Sequence, residues 1–115
     1  MNTYNPDRWV IVRITVDSNP PLYKVFGCWY GGFALGDSWR MNSGIERAYS
    51  DKNDWLNFEG YTGSVYVCPA HAYGLHLYGH GILADLQERA AEVGHSIEIM
   101  PEDTDWETLD YGNHA

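Results

Sequence analysis

A chain of 115 residues has room for one domain and can bury a core without a disulfide or a metal as an obligatory staple. Sixteen acidic against seven basic residues give a net charge of −9 and a pI near 4.7, which argues against direct binding to nucleic acid or to an anionic membrane. An apolar share of 44% and an aromatic share of 15% argue against disorder except at the ends.

The two cysteines, Cys28 and Cys68, do not form the framework of a disulfide scaffold, so both are expected to be reduced and buried. No N-terminal apolar stretch has the length of a signal peptide's core, and no segment approaches a membrane span. A cytoplasmic location is expected.

In chain order, residues 9–16 come first: Val10, Val12, Ile14 and Val16 alternate with Ile11, Arg13 and Thr15, the period of a strand with one buried face. Ser18-Asn19-Pro20-Pro21 breaks the pattern, because neither proline can donate to a ladder. Residues 22–30 resume it, which predicts an antiparallel hairpin ending at Gly31-Gly32. Further β-like runs cover residues 38–41, 45–49, 55–58 and 65–68, separated by turn signals at 42–44, 51–53 and 60–64. Within 81–93, Ile82, Leu83, Leu86, Ala90 and Val93 fall at helical spacing, with Gly94 as the stop and Asp85, Glu88, Arg89 and Glu92 on the polar face. Residues 95–100 alternate again as a closing strand, which Pro101 should end. These signals predict an α+β domain over 1–100: an antiparallel meander of about five or six strands with one main helix packed on one face. Residues 101–115 form an acidic C-terminal segment whose only anchors are Trp106, Leu109 and Tyr111; it either docks through those rings or frays.

Charge is the strongest functional signal. The last 31 residues carry nine carboxylates against one base, Arg89, while the preceding 84 are nearly neutral. Such asymmetry points to a cationic partner, with Glu102, Asp103, Asp105, Glu107 and Asp110 meeting its Lys or Arg side chains and Trp106 or Tyr111 anchoring the contact. The same charges could also serve only to keep the protein soluble. If they do, the interface should lie among Tyr30, Phe33, Trp39, Tyr61 and Tyr73, most of which adjoin glycine and are expected to be exposed rings.

Cys68, His71, His76 and His80 follow the spacing C-x2-H-x4-H-x3-H, residue types that zinc prefers. The intervening residues match no zinc module, and the simpler reading is a buried cysteine ending a strand beside loop histidines. Zinc therefore stands as an alternative, and no metal or other cofactor is expected. No orienting third group or oxyanion loop accompanies a cysteine–histidine pair, so no catalytic residue is assigned. Asn42-Ser43-Gly44 and Thr62-Gly63-Ser64 are read as hairpin turns.

Three strings, GCWYGGFALGDSW (27–39), WRMNSGI (39–45) and FEGYTGSVYVCPAHAYG (58–74), have a distinctive character. Over about residues 9–83 the chain resembles small uncharacterised accessory proteins encoded by tailed phages and prophages. The resemblance implies a phage origin, a class in which small acidic proteins often bind and block host enzymes or immune complexes, anti-CRISPR proteins among them. The partner it implies is a host protein or protein–nucleic-acid complex with a basic surface. A small-molecule sponge that sequesters a nucleotide signal is the alternative, against which the acidic balance weighs.

Overall fold

The computed structural model describes residues 2–31 and 36–112. Among the described residues it is an α+β fold of eight strands and one α-helix: β1 (Thr3–Tyr4), β2 (Arg8–Thr15), β3 (Leu22–Tyr30), β4 (Asp37–Met41), β5 (Ile45–Ser50), β6 (Trp55–Gly60), β7 (Val65–Pro69), α1 (Leu77–Glu92) and β8 (Ser96–Ile99). A 3-10 turn, Ala70–Ala72, follows β7.

The strands form two four-stranded sheets, ordered β1-β7-β6-β5 and β4-β3-β2-β8, and not the single meander expected. The local pairings do follow chain order: β2–β3, β3–β4, β5–β6 and β6–β7 are all antiparallel. Two non-local pairings complete the sheets. β8 returns antiparallel to β2, and β1 lies parallel to β7.

Strand β2 explains why two sheets are needed. Trp9, Val10, Ile11 and Val12 are all buried, so this strand has two apolar faces and not the one expected from its alternation. Trp9 and Ile11 join Tyr23 and Val25 against Ile45, Phe58, Tyr66 and Cys68 of the other sheet. Val10 and Val12 join Phe26 and Cys28 against Leu75 and Leu83 on the opposite side. The molecule is thus layered as helix, sheet and sheet, with the β2–β3 hairpin in the middle and apolar surface covered on both sides.

Helix α1 starts four residues before the predicted Gly81. Gly79 and Gly81 are poor helix formers, and Leu77 at the start is almost fully exposed, so the first turn carries no apolar stripe. Close approach accounts for one of these glycines: a Cβ on Gly79 would lie 2.8 Å from Cys28 Sγ, so only glycine lets the helix meet the sheet there. At the other end Gly94, with φ +79°, stops the helix as predicted. His95 N–H donates to Ala90 O at 2.9 Å and Gly94 N–H to Ala91 O at 3.1 Å, the two bonds of a Schellman cap. Leu83 is buried in the helix–sheet seam, while Asp85, Glu88, Arg89 and Glu92 face outward as the periodicity required.

Candidate functional site: a docked acidic segment

After β8 the chain crosses the open side of the inter-sheet core. Met100 N–H donates to Ile11 O at 2.8 Å, and Tyr73 donates its hydroxyl to Met100 O at 2.6 Å, which fixes where the acidic segment begins. Thr104 then closes a turn on Pro101 O through both its N–H and its hydroxyl.

Trp106 is 5% exposed and packs edge-on to Trp9 and Phe58 with ring centroids 6.2 Å away in each case; Tyr73 lies 5.8 Å off. Tyr111, also 5% exposed, meets Tyr23 edge-on at 5.7 Å and donates its hydroxyl to Trp106 O at 2.6 Å. Both rings belong to this chain's own core, which corrects the expectation that Trp106 or Tyr111 anchors a partner: a ring buried inside the molecule is not available to a second one. Of the two fates open to the segment, docking is the one observed.

The docked rings turn the carboxylates outward. Glu102, Asp103, Asp105, Glu107 and Asp110 are all exposed. Several also shape the local backbone: Asp105 Oδ1 accepts from Glu107 N–H at 3.2 Å, Asp110 Oδ1 accepts from Gly112 N–H at 2.8 Å, and Ser50 Oγ donates to Glu107 Oε1 at 2.6 Å. Among the described residues, the ion pairs Arg13–Glu98, Arg47–Glu59 and Arg89–Asp85 leave Glu102, Asp103, Asp105 and Glu107 without a basic partner. The phenols beneath register this environment. Burial pushes Tyr73 up to about 12, with Glu102 adding to it, and pushes Tyr111 well above the ordinary range, with Tyr23 and Asp105 adding to that.

The alternative residue sets are not assembled. Tyr73 is half-buried and packed against the core, 4.8 Å from Trp9 and edge-on to it. Tyr30 is half-buried, stacked on His76 at 5.0 Å, and accepts His76 N–H on its hydroxyl. Trp39 is 38% exposed and stacks on Phe26 on the helix side of the middle sheet. Tyr61, 45% exposed, instead donates to Tyr111 O at 3.4 Å beside the acidic segment. Phe33 lies outside the described residues.

The histidine–cysteine set is likewise dispersed. Cys68 is buried between the sheets, whereas His71, His76 and His80 are exposed, and among the described residues no three His, Cys, Asp or Glu side chains converge to hold a metal. Both cysteines are free. Burial raises the Cys68 thiol well above its ordinary value and the Cys28 thiol to about 11, so both are protonated at neutral pH and poor as ligands or nucleophiles.

Searches against protein-family models, curated proteins and solved structures found no match. Among the described residues no helix is long and apolar enough to cross a membrane.

Sequence reasoning missed one feature, a cleft of about 390 Å³ lined by Pro20, Pro21, Tyr23, Asp110 and Gly112. The Pro-Pro pair was legible only as a strand breaker, because its position opposite the C-terminal segment depends on Tyr111 docking on Tyr23. The two turn motifs serve structure: Asn42 Oδ1 accepts the buried Val25 N–H at 2.9 Å, and Ser43 and Thr62 hydroxyls meet at 3.2 Å.

Proposed function

We propose that this chain is a phage-encoded inhibitor that binds a host protein or nucleic-acid-processing defence complex in the cytoplasm of the infected bacterium. It blocks that target by steric and electrostatic occlusion and catalyses no reaction. The observation that carries this reading is the docked segment itself: five exposed carboxylates on a stretch whose Trp106 and Tyr111 are locked in the core. A fraying acidic tail would lose conformational freedom on binding, whereas a segment already held by its own core avoids much of that cost. Nuclease and guide-RNA effectors hold nucleic acid in grooves lined by Lys and Arg. Carboxylates at fixed spacing can occupy such a groove in place of phosphates, and the phage resemblance of the sequence supplies the setting.

The sponge reading has less support, because the cleft carries Asp110 on its wall and a carboxylate repels a phosphorylated ligand. A zinc-stabilised domain has less still, given the separation of Cys68 from the exposed histidines.

The test is a plaque assay in bacteria carrying a defence system, with this chain expressed from a plasmid, paired with affinity capture of the target. The variant Glu102→Gln, Asp103→Asn, Asp105→Asn, Glu107→Gln, Asp110→Asn keeps one side-chain acceptor oxygen at each position and removes the charge. Restored phage growth with the native chain, lost in a variant of unchanged melting temperature, is the expected result. Equal restoration by both proteins would reduce the carboxylates to a solubilising surface.

A further inference from the structure

Arg40 differs from the other guanidinium groups. Arg13, Arg47 and Arg89 are ion-paired, and Arg8 donates to the carbonyls of Tyr73 and Gly74. Arg40 is exposed and, among the described residues, has neither a carboxylate partner nor a hydrogen bond. Its guanidinium lies over the Tyr4 ring, 4.6 Å from the centroid. That contact uses the flat face of the cation and leaves its N–H edges open. Tyr4 is held in turn between Tyr66, 5.0 Å away, and Trp29, edge-on at 6.4 Å. Tyr66 is 1% exposed, yet its hydroxyl has no hydrogen-bond partner among the described residues. Burial pushes that phenol up to about 12 and the Arg40 charge draws it back, so hydroxyl and guanidinium lie within electrostatic reach of each other. Two residues further along, Asn42 N–H donates to Val25 O at 3.2 Å and so keeps the register of β4, which puts its side chain on the same face as Arg40. Asn42 is buried, and its Nδ2 has no acceptor.

We infer that Arg40 and Tyr66 form a binding site for a phosphate group, to which the guanidinium fork donates from one sheet and the Tyr66 hydroxyl from the other. Arg40, Tyr66 and Asn42 all present donors without acceptors, and a donor left unpaired in a core costs free energy that an oxyanion recovers. A planar carboxylate is satisfied by the fork alone, whereas a tetrahedral phosphate offers further oxygens to a hydroxyl arriving from the opposite sheet. The stacked guanidinium is already held in place, so little freedom is lost on binding. Charge elsewhere does not oppose the site. Arg40 and Tyr4 join β4 and β1, while the acidic segment leaves from β8 and meets Ser50 on β5, the opposite edges of the two sheets. The site is separate from that segment, so the plaque assay does not bear on it.

The probes are inorganic phosphate, phenyl phosphate and acetate, titrated separately into the full chain at constant ionic strength with sodium chloride as the blank. Amide and arginine side-chain NMR should show saturable shifts at Tyr4, Arg40 and Tyr66 with both phosphates and weaker ones with acetate. Tighter binding of phenyl phosphate identifies a phosphomonoester as the ligand, its organic part beside the Tyr4 and Trp29 rings; equal or weaker binding identifies the free ion. Arg40→Gln and Tyr66→Phe should each weaken phosphate binding about tenfold, the worth of one hydrogen bond to a charged group. Because the Tyr66 hydroxyl has no partner within the protein, Tyr66→Phe should melt no lower than the native chain, which separates a lost ligand contact from a damaged fold. Lys52→Gln removes an equal charge from an exposed position elsewhere and should leave binding unchanged.

Shifts no larger than those in chloride, acetate binding as tightly as phosphate, or phosphate binding that survives Arg40→Gln would overturn the inference. Equal weakening by Arg40→Gln and Lys52→Gln would do the same, since it would reduce the response to general attraction of an anion by surface charge.

Discussion

Tyr73 shows how much one side chain can organise. Its hydroxyl accepts Ile11 N–H at 3.1 Å and donates to Met100 O at 2.6 Å, while its ring packs on Trp9 and Trp106. Tyr73→Phe removes both hydrogen bonds and leaves buried backbone groups without that partner, so it should destabilise the fold by about 1–3 kcal/mol, measurable by urea denaturation. The same residue predicts an alkaline limit. Tyr66 and Tyr73 titrate near 12 against an ordinary 10, and Cys28 near 11 against 9, in each case chiefly through burial. A folded-state pKa above the unfolded one means the unfolded chain ionises first. The stabilisation is therefore complete below the unfolded values of 9 to 10 and is lost as pH rises through 11 to 12. Melting temperature should fall across that window, and Tyr73→Phe should flatten the upper part of the fall.

Among the elements, α1 and its seam with the middle sheet are the most exposed to test. Leu83→Asp places an uncompensated charge among Val10, Val12, Phe26 and Cys28 and should unfold or aggregate the protein. Glu88 on the outer face should tolerate substitution, and a cooperatively melting Leu83→Asp chain would contradict the packing. A sharper test concerns Gly79. Gly79→Ala pushes a methyl to within 2.8 Å of Cys28 Sγ and should destabilise the fold. Cys28→Ala removes that sulfur, so the double variant should recover part of the loss, with a coupling of about 0.5–3 kcal/mol in a double-mutant cycle. Strictly additive losses would show that the helix start is not pressed on the sheet at this point.

For the whole molecule, the consequence of docking is that charge and packing in the C-terminal segment can be separated experimentally. Trp106→Ala should cost about 3–5 kcal/mol of stability, as for other large buried rings, and so act on folding before it acts on any partner. Truncation before Glu102 should behave similarly, since it uncovers Trp9 and Phe58. Replacing the five carboxylates, by contrast, should leave melting unchanged, because exposed charges contribute little. It should slow association with a basic partner and flatten its salt dependence, because steering is screened over about 8 Å at physiological ionic strength. Stopped-flow association at two salt concentrations measures this directly.

The sequence by itself determined the local layout: the β2–β3 hairpin, the order of the β5-β6-β7 meander, the helix with its glycine stop, and the acidity of the last segment. Each rests on short-range chemistry, namely side-chain alternation, turn residues and capping, which neighbouring residues carry between them. Only the tertiary structure decided that the strands divide into two sheets, that β1 and β8 pair across long stretches of chain, and that Trp106 and Tyr111 are core rings with Tyr73 packed against them. Aromatic rings serve equally well in a core or at an interface, so composition could not assign them. The four consecutive apolar residues Trp9-Val10-Ile11-Val12 did hold the signal for a strand buried on both faces, yet their alternation with Arg13 and Thr15 further along read as one-sided. The cleft between Pro20-Pro21 and Asp110 had no sequence signature, because it exists only once residues about 90 positions apart in the chain are brought together by the packing of Tyr111 on Tyr23.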